Sequence, residues 1–217
     1  MAYTRGSSSE IIVGAAALFT ADSTLDANTV PAFVSDESYK ETLSNSLNTE
    51  VSAAGVENVG YTSNGIEITF QPDFGEVQVD QILDVAKLYK QGMQVTLATS
   101  FAEATLENLL FAIAGNSDDL SGSKGTSSGR ILDLKSGDIG ECPVERALIA
   151  VGPGTGDCVD SSSVERVYIA YRALSIENVT VSAKRDTATM FDVTFRLLPE
   201  DASGSYGKIV DRTIQES

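Results

Sequence analysis

Between residues 64 and 115 the hydrophobic repeat of this chain changes once, from every second residue to the spacing of a helix. That change constrains the fold more than any other feature, because strands that alternate need a partner face and a helix with one apolar stripe needs a sheet to lie on. The segment opens on Asn64-Gly65, the strongest short-range hairpin signal, since a type I′ turn requires positive φ at both central residues. A turn there pairs Ser63 with Ile66, Tyr61 with Ile68 and Val59 with Phe70 on one face, and leaves Thr62, Glu67, Thr69 and Gln71 on the other. Pro72-Asp73-Phe74-Gly75 carries turn chemistry and is expected to end that strand. Residues 76–80 then alternate again, with Glu76, Gln78 and Asp80 opposite Val77 and Val79, and Met93, Val95, Leu97 and Thr99 form a further strand. Ser100-x-x-Glu103 has the spacing of a capping box. Leu106, Leu109, Leu110 and Ile113 follow as one helical stripe, and Gly115 suits the left-handed closing position. The spacing predicts a helix over about residues 102–114 that buries those four side chains against a β-sheet.

What is missing from the composition bears on function. The 217 residues are 42% hydrophobic, ample for a packed core, yet include no His and no Trp. Without His, the commonest general base and metal ligand is absent and no Ser-His-Asp or Cys-His device exists. No catalytic motif, metal-ligand spacing or cofactor fingerprint takes its place, so the chain reads as a non-enzyme with no cofactor and no metal. The tract GSKGTSSG at residues 122–129 lacks the G-x-x-x-x-G-K-[ST] spacing of a phosphate loop. A net charge of −16 disfavours adhesion to nucleic acid or to an anionic membrane surface. Cys142 and Cys158 are too few for a disulfide scaffold; their spacing permits a bridge, and two reduced thiols are expected of a protein made in a cytosol.

The rest of the chain is organised around strands. Residues 1–9 form a polar arm, and the apolar run 11–19, abutted by Glu10, reads as a strand rather than a secretory leader. Residues 20–50 are polar, acidic and weakly periodic, with a short helix near 36–43; a connection of this length is either a surface loop or an arm that embraces a neighbour. Residues 116–140 are Gly- and Ser-rich and read as a loop. Strands are expected over 146–151, 164–174, 176–183, 191–197 and 208–211. With no internal repeat and no dividing linker, residues 1–217 read as a single mainly β domain.

Three segments taken together resemble the major tail tube proteins of long-tailed bacteriophages. They are GIEITFQPDFGEVQVDQ at 65–81, QVTLATSFAEATLENLLFAIAG at 94–115, and MFDVTFRLLPEDASGSYGKIVDR at 190–212. Their order and spacing match over roughly half the chain, with no single diagnostic motif. The resemblance implies a β-sandwich or barrel of two packed antiparallel sheets with one flanking helix. It also implies hexameric rings stacked into a hollow tube, located in the virion and made in the host bacterial cytoplasm. The partners it implies are other copies of the chain, the tape-measure protein, the tail terminator and baseplate or tail-tip proteins, while DNA passes through without specific binding. The 20–50 segment is then an inter-subunit loop. A type VI secretion tube or a tail terminator shares this fold, and an acidic β-sandwich binding module is the other class to weigh.

Such a tube needs a wall that does not hold phosphate. The candidates for the lumen are the polar strand faces Glu67, Thr69 and Gln71, and Glu76, Gln78 and Asp80.

Overall fold

The computed structural model describes residues 12, 14–21, 23–25, 56–81, 84–122, 129–136, 142–155, 163–186 and 188–214. The arm at 1–9, most of the 20–50 segment with its expected helix, most of the 122–129 tract and Cys158 lie outside the described residues. Ten strands and one α-helix follow in chain order among those described: β1 (Ala17–Ala21), β2 (Val56–Asn58), β3 (Thr62–Gln78), β4 (Val85–Phe101), α1 (Leu106–Ala112), β5 (Leu120–Gly122), β6 (Arg130–Leu132), β7 (Arg146–Pro153), β8 (Ser163–Ser175), β9 (Phe191–Leu198) and β10 (Gly207–Ile214). The fold is therefore mainly β. It has one eight-stranded sheet in the order β2-β1-β7-β8-β9-β4-β3, with β10 added on β8, and a separate β5-β6 pair. Among the described residues the large sheet does not close into a barrel: β2 and β3 end the path unjoined.

The sheet divides at β8. Residues 163–170 of β8 pair with β10, whereas Arg172 to Ser175 pair with β9. One long strand thus feeds two half-sheets. Leu148 and Ala150 of β7 share a core with Val95 and Leu97 of β4, Val193, Phe195 and Leu197 of β9, and Phe111 and Ala112 of α1. The alternate residues of β7, Ala147, Ile149 and Val151, belong to a second core with Phe19, Val167, Ile169 and Tyr171. Period 2 sends successive side chains to opposite faces, so β7 is buried on both sides, which is why ALIAV at 147–151 is apolar without a break. In β9 the pattern is cleanly alternating, with Phe191, Val193, Phe195 and Leu197 inside.

Asn64-Gly65 is not a hairpin turn. Both residues do have positive φ, 64° and 71°, but they form a bulge inside β3: Ser63 pairs with Ser100 and Ile66 with Thr99, so two residues loop out of the ladder. The Thr99 hydroxyl donates to the Gly65 carbonyl at 2.7 Å and pins the bulge. The long partner β4 explains the outcome, since continuous pairing from Thr62 to Gln78 satisfies far more backbone than a short local hairpin. Pro72 does not end the strand either. It sits in β3 at the edge of the sheet, where a missing N–H breaks no ladder on the open side. Residues 176–183, expected to be a strand, form an irregular connection after β8. Part of the expected 116–140 loop is ordered as a 3-10 turn at Ser117–Asp119 and the β5-β6 pair.

The helix starts later than the capping box suggests. Ser100 lies in β4 and donates to Asp192 at 2.5 Å, and Glu103 instead accepts the Tyr61 backbone N–H at 2.9 Å. Thr105 is the actual N-cap, accepting the Asn108 N–H at 3.2 Å. The helix ends one residue before Gly115 would close it: Ala114 takes the left-handed position with φ 53°. The Gly115 N–H reaches the Leu110 carbonyl at 2.9 Å and the Ala114 N–H reaches Phe111 at 3.2 Å, a Schellman pattern. An L-residue pays for this conformation and glycine does not. Ala114→Gly is therefore expected to stabilise the protein by about 0.5–1 kcal/mol, after allowing for glycine's larger unfolded-state entropy. A shift of the urea midpoint to lower concentration would contradict this.

The β8-β10 seam carries an ion pair whose acid strength is altered. Arg166 donates through Nε and Nη2 to Asp211 at 2.5 and 2.7 Å. This hydrogen-bonded guanidinium holds the Asp211 carboxyl below its ordinary 3.8. A lowered folded-state value stabilises the fold above 3.8, and that contribution disappears as pH falls through the lowered value. Wild type should accordingly melt above Asp211→Asn at neutral pH, and the gap should narrow on acidification below 3.8. A gap independent of pH would rule out this linkage.

Candidate assembly surfaces

Half of the β3-β4 pair leaves the body of the protein. β9 joins β4 only from Val95 onward, so among the described residues no strand lies beside one edge of β4 from Val85 to Gln94, and none lies along the outer edge of β3. The distal part is a two-stranded ribbon, exposed at nearly every position from Gln71 to Gln78 and from Ala86 to Gln91. Its two register shifts place the extra residues, Gln91 and Ala86, on β4, while β3 from Ile66 to Gln78 runs without an insertion. Gly75 is the buried exception. Tyr89, directly opposite, lies across it so closely that a Cβ at Gly75 would stand 2.5 Å from the Tyr89 ring. The Gln91 amide donates to the Tyr89 hydroxyl at 3.1 Å and fixes that ring. A side chain at position 75 would have to displace the ends of the exposed Tyr89 and Gln91 side chains.

The ribbon is apolar where a free ribbon should not be. Ile66 and Ile68 pack against the core, and the same face continues outward through Phe70, Pro72 and Phe74, with Leu88 across from Glu76. Phe70, Phe74 and Leu88 are 54%, 54% and 58% exposed. At the base of this face, where the large sheet divides, a cavity of about 580 Å³ is lined by Ile68, Met93, Val95, Tyr168 and Leu197. The Tyr206 hydroxyl closes one wall by donating to the Met93 carbonyl.

The unbroken run of β3 decides where the expected lumen residues lie. Glu67, Thr69 and Gln71 are exposed and share the face opposite Ile66 and Ile68. Their cross-strand neighbours are Ala98, Thr96 and Gln94, and Thr194 and Arg196 of β9 continue the same polar face. Glu76 and Gln78 fall on the other face, beside Phe74 and Leu88, and Asp80 lies in the turn past the end of β3. The two trios therefore do not form one surface.

Of the four expected helix residues, Leu110 is 6% exposed, Leu106 and Leu109 are half-buried, and Ile113 is 41% exposed. Ile113 is a correction: as the C-cap it has left the helical spiral, and Phe111 and Ala112 take the inward positions. The segment VAKLYKQ at 85–91 shows no clean alternation, although Val85 and Tyr89 are strand formers.

Cys142 is an exposed free thiol. Among the described residues no group of His, Cys, Asp or Glu is arranged to hold a metal ion, and no helix is long and apolar enough to cross a membrane. No family model matches the chain, and no curated protein matches it.

Proposed function

We propose that this chain is a tail-tube-type structural protein whose copies form hexameric rings stacked into a hollow conduit for DNA. The observation that carries the reading is the ribbon: two strands with open edges and three large exposed apolar side chains. An isolated two-stranded ribbon is marginal in water, and exposed edges invite pairing. Neighbouring copies are the natural cover. The two half-sheets that share one core correspond to an open sandwich, with α1 flanking it. The face bearing Glu67, Thr69, Gln71, Gln94, Thr96 and Thr194 is polar, with Arg196 its basic member, which suits a wall that must not retain phosphate. Glu76 and Gln78, lying on the apolar side, suit a contact between copies instead. In this reading the tape-measure protein occupies the lumen before ejection, and the terminator and baseplate or tail-tip proteins meet the tube ends. Negative-stain electron microscopy of the purified protein tests it. Long hollow tubes are expected; isolated rings favour a secretion tube or terminator, and monodisperse monomers at high concentration overturn assembly altogether.

A further inference from the structure

The two strands of the ribbon carry opposite charge. β3 from Thr62 to Gln78 contains Glu67, Asp73 and Glu76 and no Lys or Arg, and the turn that follows adds Asp80. β4 from Val85 to Phe101 contains Lys87 and Lys90 and no Asp or Glu. Asp73, Glu76, Lys87 and Lys90 are all exposed on the distal ribbon, with Lys90 also bordering the cavity that the start of β10 helps to line. Among the described residues no ion pair joins the two strands: Lys90 reaches Met93 Sδ at 3.9 Å, and the five described ion pairs lie elsewhere. The ribbon thus has an acidic open edge along β3 and a basic open edge along β4.

We infer that this charge separation sets the polarity of self-assembly, with the β3 edge of one copy beside the β4 edge of the next. The inference rests on the assembly reading above and adds the partner edge and its direction. Two copies related by a two-fold axis would place like edges together, acid beside acid or base beside base, and like charges directly opposite on adjacent strands destabilise a pairing. Head-to-tail placement sets Asp73 and Glu76 of one ribbon near Lys87 and Lys90 of its neighbour. It also keeps adjacent strands antiparallel, because β3 and β4 are antiparallel within each copy. A head-to-tail contact leaves a fresh edge of each sign at its ends and so propagates, whereas a two-fold contact uses up the same edge of both copies and closes at a dimer through that edge. The charges therefore disfavour the arrangement that would terminate growth.

The test uses the full chain and sign reversal. Lys87→Glu with Lys90→Glu makes both edges acidic; Asp73→Lys with Glu76→Lys makes both basic. Each double variant should assemble only at about tenfold higher concentration or more, from the loss of two exposed charge pairs per contact and their replacement by repulsion. Salt at about 0.5 M should narrow that gap by screening. The quadruple variant restores edges of opposite sign and should assemble near the wild-type concentration. A one-to-one mixture of the two doubles should also assemble near the wild-type concentration, at which neither does so alone. Sedimentation velocity reads association, and far-ultraviolet circular dichroism confirms that each variant is folded. Doubles that assemble like wild type, or a folded quadruple no better than the doubles, overturn the inference. Wild type that stays monomeric overturns it together with the assembly reading, whereas wild type that assembles regardless of edge charge overturns the inference alone.

Discussion

Phe195→Ala is expected to destabilise the protein by about 3–5 kcal/mol, the usual cost of emptying a buried aromatic site. Phe195 is 1% exposed on β9, paired with Leu97 of β4 and with Ser175 of β8. Its ring lies 4.9 Å from that of Phe111 on α1 and 6.4 Å from Phe101 at the end of β4, and those two rings stack at 5.9 Å. One side chain thus ties the helix to the strands beneath it, and no neighbour can swing in to fill the void without breaking another ring contact. A domain of ordinary stability holds only about 5–15 kcal/mol in total, so the loss is a large fraction of it. Chemical denaturation gives the comparison. Arg196→Ala, at the next and exposed position, should change stability by no more than about 0.5 kcal/mol. Equal losses at the two positions would mean that β9 does not face the core in this register.

Phe74→Asp should have the opposite profile, leaving the monomer intact while weakening self-association about a hundredfold. Phe74 is 54% exposed on the ribbon, has little to lose within its own copy, and offers its ring to a neighbour. Covering such a ring contributes about 1.5–3 kcal/mol, and burying a carboxylate in its place adds a desolvation cost, so about two decades in affinity is a modest expectation. The melting temperature of dilute protein should match wild type, and sedimentation at rising concentration should show the defect. Assembly of Phe74→Asp at the wild-type concentration would remove the apolar stripe from the contact.

Some of this structure is legible in the sequence. The alternation of Phe191, Val193, Phe195 and Leu197 and the unbroken apolar run of β7 report their burial directly, because local pattern and tertiary environment agree there. Around Asn64-Gly65 they disagree: a residue pair with two positive φ values serves a turn and a bulge equally well, and only the reach of a distant partner strand decides between them. The same holds for Ser100, whose hydroxyl is an apt cap in isolation but is committed to Asp192 across the sheet. The two-faced exposure of the ribbon was hidden for a different reason. Phe70, Phe74 and Leu88 look like core residues, and nothing in their spacing says that the core stops at Val95. Edge charge, by contrast, is plain in the sequence once β3 and β4 are known to be neighbours.

β3 and β4 run as two long antiparallel strands from the buried core to the ribbon tip, and this gives the ribbon a direction of mechanical strength. A force drawn along one strand against the other loads the backbone hydrogen bonds between them together, in shear. A force that pries the strands sideways from the tip meets those bonds one after another and unzips them. A neighbour that grips the ribbon lengthwise therefore pulls on a strut, and one that plucks at its tip pulls on a zip.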